Sequence, residues 1–269
     1  MPEPAVVALL CRTSDRVPGG ACGAQALATT VAAQLGTTAR LVGSPGGTRE
    51  SSWEDDLRDS RGCLLEAGGQ LEDALAAGRF PVLLASDCSI CVTTLPALAR
   101  LRPGVRVLWL DAHADFNDPS TTPSGFLGGM CLAGACGVWD TGLGAGVDPA
   151  QVVMCGVRDV DAGERVLLDT RGVGLVQSPS ELAGLLAGQE VFVHLDLDVL
   201  DPAELPGTAF PAPGGMGLEG LGRVLADVAA AATVVGCEVT SFTAPEHAPR
   251  FAALLAPLLA AHEREEAGA

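Results

Sequence analysis

The 269-residue chain contains no tyrosine and no lysine, so all 16 of its basic residues are arginine. Without lysine there is no Schiff-base chemistry, no attachment point for pyridoxal phosphate and no P-loop phosphate clamp. Positive charge is also scarce, since 33 acidic residues leave a net charge of -17. A phosphate backbone requires a basic footprint, so nucleic acid and anionic membranes are excluded as partners, and a cationic small molecule is favoured. Long apolar runs are missing as well: "AALLAPLLAA" near the C-terminus stops far short of the roughly 18 residues that span a bilayer. The N-terminal "MPEPAVVALLCRTSD" has no basic n-region and reads as a first strand, so a cytoplasmic compartment is expected. The nine cysteines are odd in number and follow no repeated spacing, and they are expected to be mostly reduced, buried small hydrophobes.

What is present is apolar and periodic. Short Val/Leu-rich runs recur at 5–10, 39–43, 80–85, 105–110, 151–156, 173–176, 190–195 and 233–239. They are continuous rather than alternating, as in strands covered on both faces. Ala/Leu-rich segments with helical spacing lie between most of them, for example 62–78, 178–187, 217–231 and 247–262. Such alternation predicts an α/β fold in which helices sandwich a mostly parallel sheet, here one domain over 1–269. Functional groups in such a sheet belong at the carboxyl ends of the strands.

That is where the charged clusters fall. The run at 105–110 leads into Asp111, His113 and Asp115, and the run at 190–195 leads into Asp196 and Asp198. Residues i and i+2 of an extended chain share a face, so each cluster is expected to point one way. Four buried aspartates repel one another severely unless cations hold them. Carboxylates with one imidazole suit divalent ions such as Mn²⁺ and are too many for one zinc; two ions sharing bridging carboxylates would use them all and activate a water. "SDCSI" (86–90) brings Asp87 and Cys88 to the same edge. A thiolate can ligate a divalent metal, although a free cysteine is more often inert core packing.

In this order, "ASDCS" (85–89), "DAHADFNDPSTTPSG" (111–125), "GVRDVDAGE" (156–164), "DLDVLDPAELPGTAFPAPGG" (196–215) and "CEVTSFTAP" (237–245) resemble the ureohydrolase superfamily of arginases and agmatinases. The resemblance implies a three-layer α-β-α sandwich with an eight-stranded sheet and a centre of two Mn²⁺ per chain that hydrolyses guanidino carbon by a bridging hydroxide. By position it makes Asp111 and Asp196 bridging ligands, completes one ion with His113 and Asp198, and completes the other with Asp115 and Cys88. It also makes Asp115 the group that passes a proton to the departing amine, and Glu238 the partner of the substrate's guanidinium. Asn117, Thr122 and Ser124 match positions that bind an α-carboxylate, and Asp159, Asp161 and Glu164 match the amine side, which favours a small cationic amino acid. A homo-oligomer is compatible with the resemblance.

Two departures stand out. Cys88 replaces the histidine of G-G-D-H-S, and Gly128 lies where arginases carry a proton-shuttling histidine. A substrate less dependent on that shuttle, such as an N-hydroxyguanidine, fits the second departure. The superfamily branch that hydrolyses Nω-hydroxy-L-arginine to L-ornithine and hydroxyurea, in D-cycloserine biosynthesis, is accordingly the expected relation. An ordinary arginase, an agmatinase, a guanidinobutyrase, a formimidoylglutamase or a degenerate, non-catalytic binding module are the alternatives. His194 is expected to pack in its strand, and His247 and His262 to lie on the surface of a C-terminal helix.

Overall fold

The computed structural model describes residues 3–261. Eight strands appear where the apolar runs predict them: β1 (Pro4–Leu9), β2 (Arg40–Val42), β3 (Phe80–Leu84), β4 (Arg106–Leu110), β5 (Val152–Cys155), β6 (Gly174–Val176), β7 (Glu190–Asp196) and β8 (Thr233–Thr240). They form one sheet in the order β2-β1-β3-β8-β7-β4-β5-β6, with every neighbouring pair parallel.

The helices are α1 (Gly20–Gln34), α2 (Trp53–Ala76), α3 (Cys91–Leu101), α4 (Cys131–Ala135), α5 (Ala162–Arg171), α6 (Leu182–Leu186), α7 (Leu218–Ala231) and α8 (Ala248–Ala261). Helix α2 begins nine residues before the expected 62, because Ser52 caps it by accepting the N–H of Asp55 and acidic residues fill its first turn. The expected helix at 178–187 is shorter, a 3-10 turn at Pro179–Glu181 running into α6. His247 is exposed in the 3-10 turn Pro245–His247 that leads into α8; His262 lies outside the described residues.

Successive strand residues serve opposite faces, which is why the runs are apolar without a break. Val82 and Leu84 of β3, Leu108 and Leu110 of β4 and Val193 and Leu195 of β7 share a core with α1, α6, α7 and α8. Leu83, Trp109 and Phe192 face the other way, into a core with α2, α3 and α4. Burying both faces of the six inner strands is the main stabilising contribution, at roughly 25 cal/mol for each Å² of apolar surface removed from water, while the edge strands β2 and β6 are only partly covered.

Most cysteines follow expectation as buried thiols, but Cys11 at the end of β1 is disulfide-bonded to Cys63 on α2, and Cys22 is exposed. The two half-cystines are 52 residues apart in sequence, so their pairing depends on how α2 packs beside β1.

Candidate metal centre

Three central strands deliver an aspartate that bends the chain at once. Asp87 follows β3, Asp111 follows β4 and Asp196 ends β7. In each case one carboxylate oxygen accepts the backbone N–H two residues on: Ser89 to Asp87 (2.8 Å), His113 to Asp111 (2.7 Å) and Asp198 to Asp196 (2.7 Å). Short aspartate side chains favour this turn. The expected reason for convergence, an extended chain alternating its faces, is therefore corrected. Asp196 caps and Asp198 sits within a 3-10 turn at Leu197–Val199, and Asp115 has a left-handed backbone with φ +50°. A non-glycine residue there costs about 1 kcal/mol or more. The Asp115 carbonyl offsets this by accepting the N–H groups of Leu132 (3.1 Å) and Ala133 (3.3 Å) in α4.

These turns bring Cys88, Asp111, His113, Asp115, Asp196 and Asp198 onto one cavity of about 230 Å³. That is below the lower end of small-molecule sites, roughly 300 Å³, so the cavity has room for only a small ligand. Nδ1 of His113 lies 3.3 Å from Asp111 Oδ1 and 3.1 Å from Asp198 Oδ2. On the other side, Sγ of Cys88 lies 2.8 Å from Asp196 Oδ2 and 3.9 Å from Asp111 Oδ2. Two groups thus offer donor atoms within 4.8 Å of one another: Asp111 with His113 and Asp198, and Asp111 with Cys88 and His194. Asp115 is also buried, with Oδ2 3.6 Å from the thiol of Cys131.

The electrostatics of this cluster are unfavourable without cations. Burial, reinforced by Asp111, pushes the Asp115 carboxyl well above the usual range, and burial with Asp198 pushes Asp196 up to about 6. Burial and Asp111 likewise raise Asp198. Burial, then Asp196 and Asp111, pushes the Cys88 thiol far up. Burial opposes a charge on His113, yet Asp111 and Asp198 outweigh it and raise its imidazole to about 12. The cluster therefore holds protons to contain its own charge. The only arginine lining the cavity among the described residues is Arg16, and it is paired with Glu50 at the rim. Divalent ions fit this donor set: oxygen with one imidazole on one side, and oxygen with sulfur on the other.

The residues expected to meet substrate divide. Asn117, Ser124, Asp159, Asp161 and Glu164 line the cavity. Asn117 donates through Nδ2 to Asp161 (3.0 Å), and its buried Oδ1 has no protein partner. Glu164 accepts the N–H groups of Phe116 (2.8 Å) and Asp161 (3.1 Å), tying the 111–117 segment to α5, and burial pushes its carboxyl up to about 7. Thr122 is not a lining residue; its Oγ1 accepts the N–H of Gly125 (3.1 Å) and closes a turn. Glu238 does not line the cavity either. It is fully buried in β8, with Oε1 2.7 Å from His194 Nδ1 and Oε2 accepting from Thr94 Oγ1 (2.6 Å). At Gly128 a Cβ would come within 2.4 Å of Cε1 of Phe126, whose ring occupies the space beside it.

Sequence reasoning missed several groups. Asp15 and Arg16, in the loop after β1, line the cavity, and burial, then Asp87, raises Asp15 to about 6. The charged "RTSDR" (12–16), one residue beyond the first apolar run, is the same kind of strand-end signal that marks Asp111 and Asp196. Phe126 and Phe210 pack with ring centroids 4.9 Å apart at the mouth, and Arg16 lies 5.3 Å from the Phe126 ring centroid. Arg158 gives six hydrogen bonds to the carbonyls of Gly156, Asp198, Val199, Leu200 and Ala212, clamping the Asp198 turn. Nothing in the sequence marks that role, because all five acceptors are backbone.

Comparison with known proteins agrees with this architecture. A profile of the arginase family matches residues 55–262. The chain is 34% identical over 253 residues to the N(omega)-hydroxy-L-arginine amidinohydrolase of Streptomyces lavendulae, covering 92% of each. It is 34% identical to the arginase of Bacillus caldovelox over 185 residues, 59% of this chain and 62% of the arginase. The solved structure of that arginase superposes with a TM-score of 0.80 at 23% identity, covering 96% and 97% of the two chains. Proclavaminate amidino hydrolase from Streptomyces clavuligerus superposes with a TM-score of 0.68 at 23% identity, covering 96% and 91%. Taken with the buried acidic centre at the carboxyl edge of the sheet, these relations define an amidinohydrolase, an enzyme acting on C–N bonds of linear amidines. The chain belongs to the arginase family.

Proposed function

We propose that the chain hydrolyses the guanidino group of an arginine-type amino acid at a centre of two Mn²⁺, and that its substrate is Nω-hydroxy-L-arginine, released as L-ornithine and hydroxyurea. Asp111 and Asp196 would be shared between the ions, His113 and Asp198 would serve one, and Cys88 and Asp115 the other. Bound there, the ions would supply Lewis acidity and a water that ionises near neutral pH.

The chain's own residues carry the remaining steps. Asp159, Asp161 and Glu164 offer negative charge to the substrate's α-ammonium, and Asn117 and Ser124 offer polar contacts to its carboxylate. Asp115 lines the cavity beside Asp111 and is placed to pass a proton to the departing nitrogen. The Phe126 and Phe210 rings at the mouth limit access of bulk water.

The observation that carries the choice of substrate is at Gly128, where the Phe126 ring fills the space beside a backbone position that bears no side chain. No imidazole can shuttle a proton from there, which handicaps a substrate that depends on such a shuttle. An N-hydroxyguanidine is less basic and brings an additional oxygen for the ions or nearby dipoles to recognise. Similarity to the Streptomyces lavendulae amidinohydrolase over nearly the whole of both chains supports the same choice. The test is a Mn²⁺-loaded assay of hydroxyarginine, arginine, agmatine, guanidinobutyrate and formimidoylglutamate, with hydroxyurea and urea measured separately. Hydroxyarginine is expected to give the highest kcat/KM, by tenfold or more; equal or faster turnover of arginine contradicts the assignment.

A further inference from the structure

His194 takes part in none of the steps above, yet its setting is unusual for a residue that only packs. It lies in the middle of β7 with no exposed surface, in register with Trp109 of β4 on one side and Glu238 of β8 on the other. Its ring stacks on the Trp109 indole with centroids 3.5 Å apart and planes 2° apart. Nδ1 lies 2.7 Å from Glu238 Oε1, and the second Glu238 oxygen is held by Thr94. Nε2 points the opposite way and lies 3.3 Å from Cys88 Sγ. One ring nitrogen, Cys88 Sγ and an Asp111 oxygen lie within 4.8 Å of one another.

A buried His–Glu pair is a poor choice for stability alone, because desolvating two polar groups offsets what their contact contributes and an apolar pair of equal volume does as well. The pair does achieve a fixed tautomer. With Nδ1–H given to a carboxylate, the Nε2 lone pair faces the cluster, and this carboxylate–histidine arrangement is the usual support of a metal-bound imidazole. Glu238 is thereby occupied in holding the ring and is turned away from the cavity.

We propose that His194 Nε2 is a ligand of the ion held by Cys88, with Glu238 as the residue that positions it. The inference rests on the dinuclear reading and deepens it. The two ions then sit in unlike surroundings: His113 with carboxylate oxygens at one, thiolate and imidazole with carboxylate at the other. The second set is softer, so it prefers Co²⁺ or Zn²⁺ over Mn²⁺ more strongly than the first.

The test uses the full chain stripped of metal and reloaded with Co²⁺. Wild type is expected to bind two ions, with a thiolate-to-cobalt charge-transfer band. His194→Gly is expected to keep one ion and to bind the other more than 100-fold more weakly, beyond the 10–100-fold typical of a supporting residue, with free imidazole restoring it. Glu238→Gln is expected to weaken the same ion within that 10–100-fold range. X-ray absorption at the cobalt edge of wild type should show two imidazoles per pair of ions, a measurement that needs no variant to fold. A single imidazole per pair, or a His194→Gly protein that holds both ions within tenfold of wild-type affinity, overturns the inference and leaves the dinuclear reading standing. A wild type that binds no cobalt overturns both.

Discussion

Replacing Arg158 with methionine keeps the apolar stem and removes the guanidinium that clamps the turn around Asp198. Six hydrogen bonds to five carbonyls are lost. At the lower figure of ~1.5 kcal/mol for a bond from a charged donor, a simple sum reaches ~9 kcal/mol, more than single substitutions remove. The sum overcounts, since Ala212 accepts twice and carbonyls nearer the surface regain water. Val199 and Leu200 are at most 1% exposed and Asp198 8%, so their carbonyls stay dry. Stranding two or three such groups gives about 4 kcal/mol. At roughly 2–4 °C per kcal/mol for a chain of this size, the melting temperature of the metal-free protein should fall by about 10 °C. Scanning calorimetry measures this, and Mn²⁺ titration of the folded variant should show weaker binding at the ion that uses Asp198. A melting temperature within about 2 °C of wild type, with metal binding unchanged, refutes the role given to Arg158.

Glu164 has a carboxyl that is raised from 4.5 to about 7 in the folded protein. The native state therefore holds its proton more tightly than the unfolded chain, so this group's contribution to stability falls as pH rises from about 4.5 and is fully lost above about 7. Relative to Glu164→Gln, metal-free wild type should lose up to about 3 kcal/mol across that interval in urea melts; parallel stability profiles contradict this. Gly128→Ala places a methyl against Phe126 and should cost about 1–3 kcal/mol, mostly recovered when Phe126→Ala is added. Additive losses in that double-mutant cycle would show that the ring does not limit the site. Asp111→Asn removes a carboxylate common to both donor groups and should abolish binding of both ions, as elemental analysis would reveal.

The inner strands were legible because a strand covered on both faces must be apolar throughout, and all eight runs lie in the sheet, although the edge strands β2 and β6 are only partly covered. The clusters at Asp111 and Asp196 were legible for a related reason, since charge directly after such a run has to emerge where loops meet. The cause of their convergence was not legible: the bend comes from aspartates capping their own turns and from the left-handed backbone of Asp115. Sequence also could not reveal the row Trp109–His194–Glu238, because it depends on the register of β4, β7 and β8, strands that lie far apart in the chain. The same limit concealed Arg158, whose acceptors are 2 to 54 residues away.

Equilibrium dialysis of the metal-free full-length protein against Mn²⁺, followed by elemental analysis, tests the account most directly. It predicts two ions per folded chain with release of protons from the buried carboxyls and thiol as they enter. A folded protein that takes up no Mn²⁺ and releases no protons contradicts it, because the acidic groups at the end of the sheet would then coexist without the cations invoked to hold them.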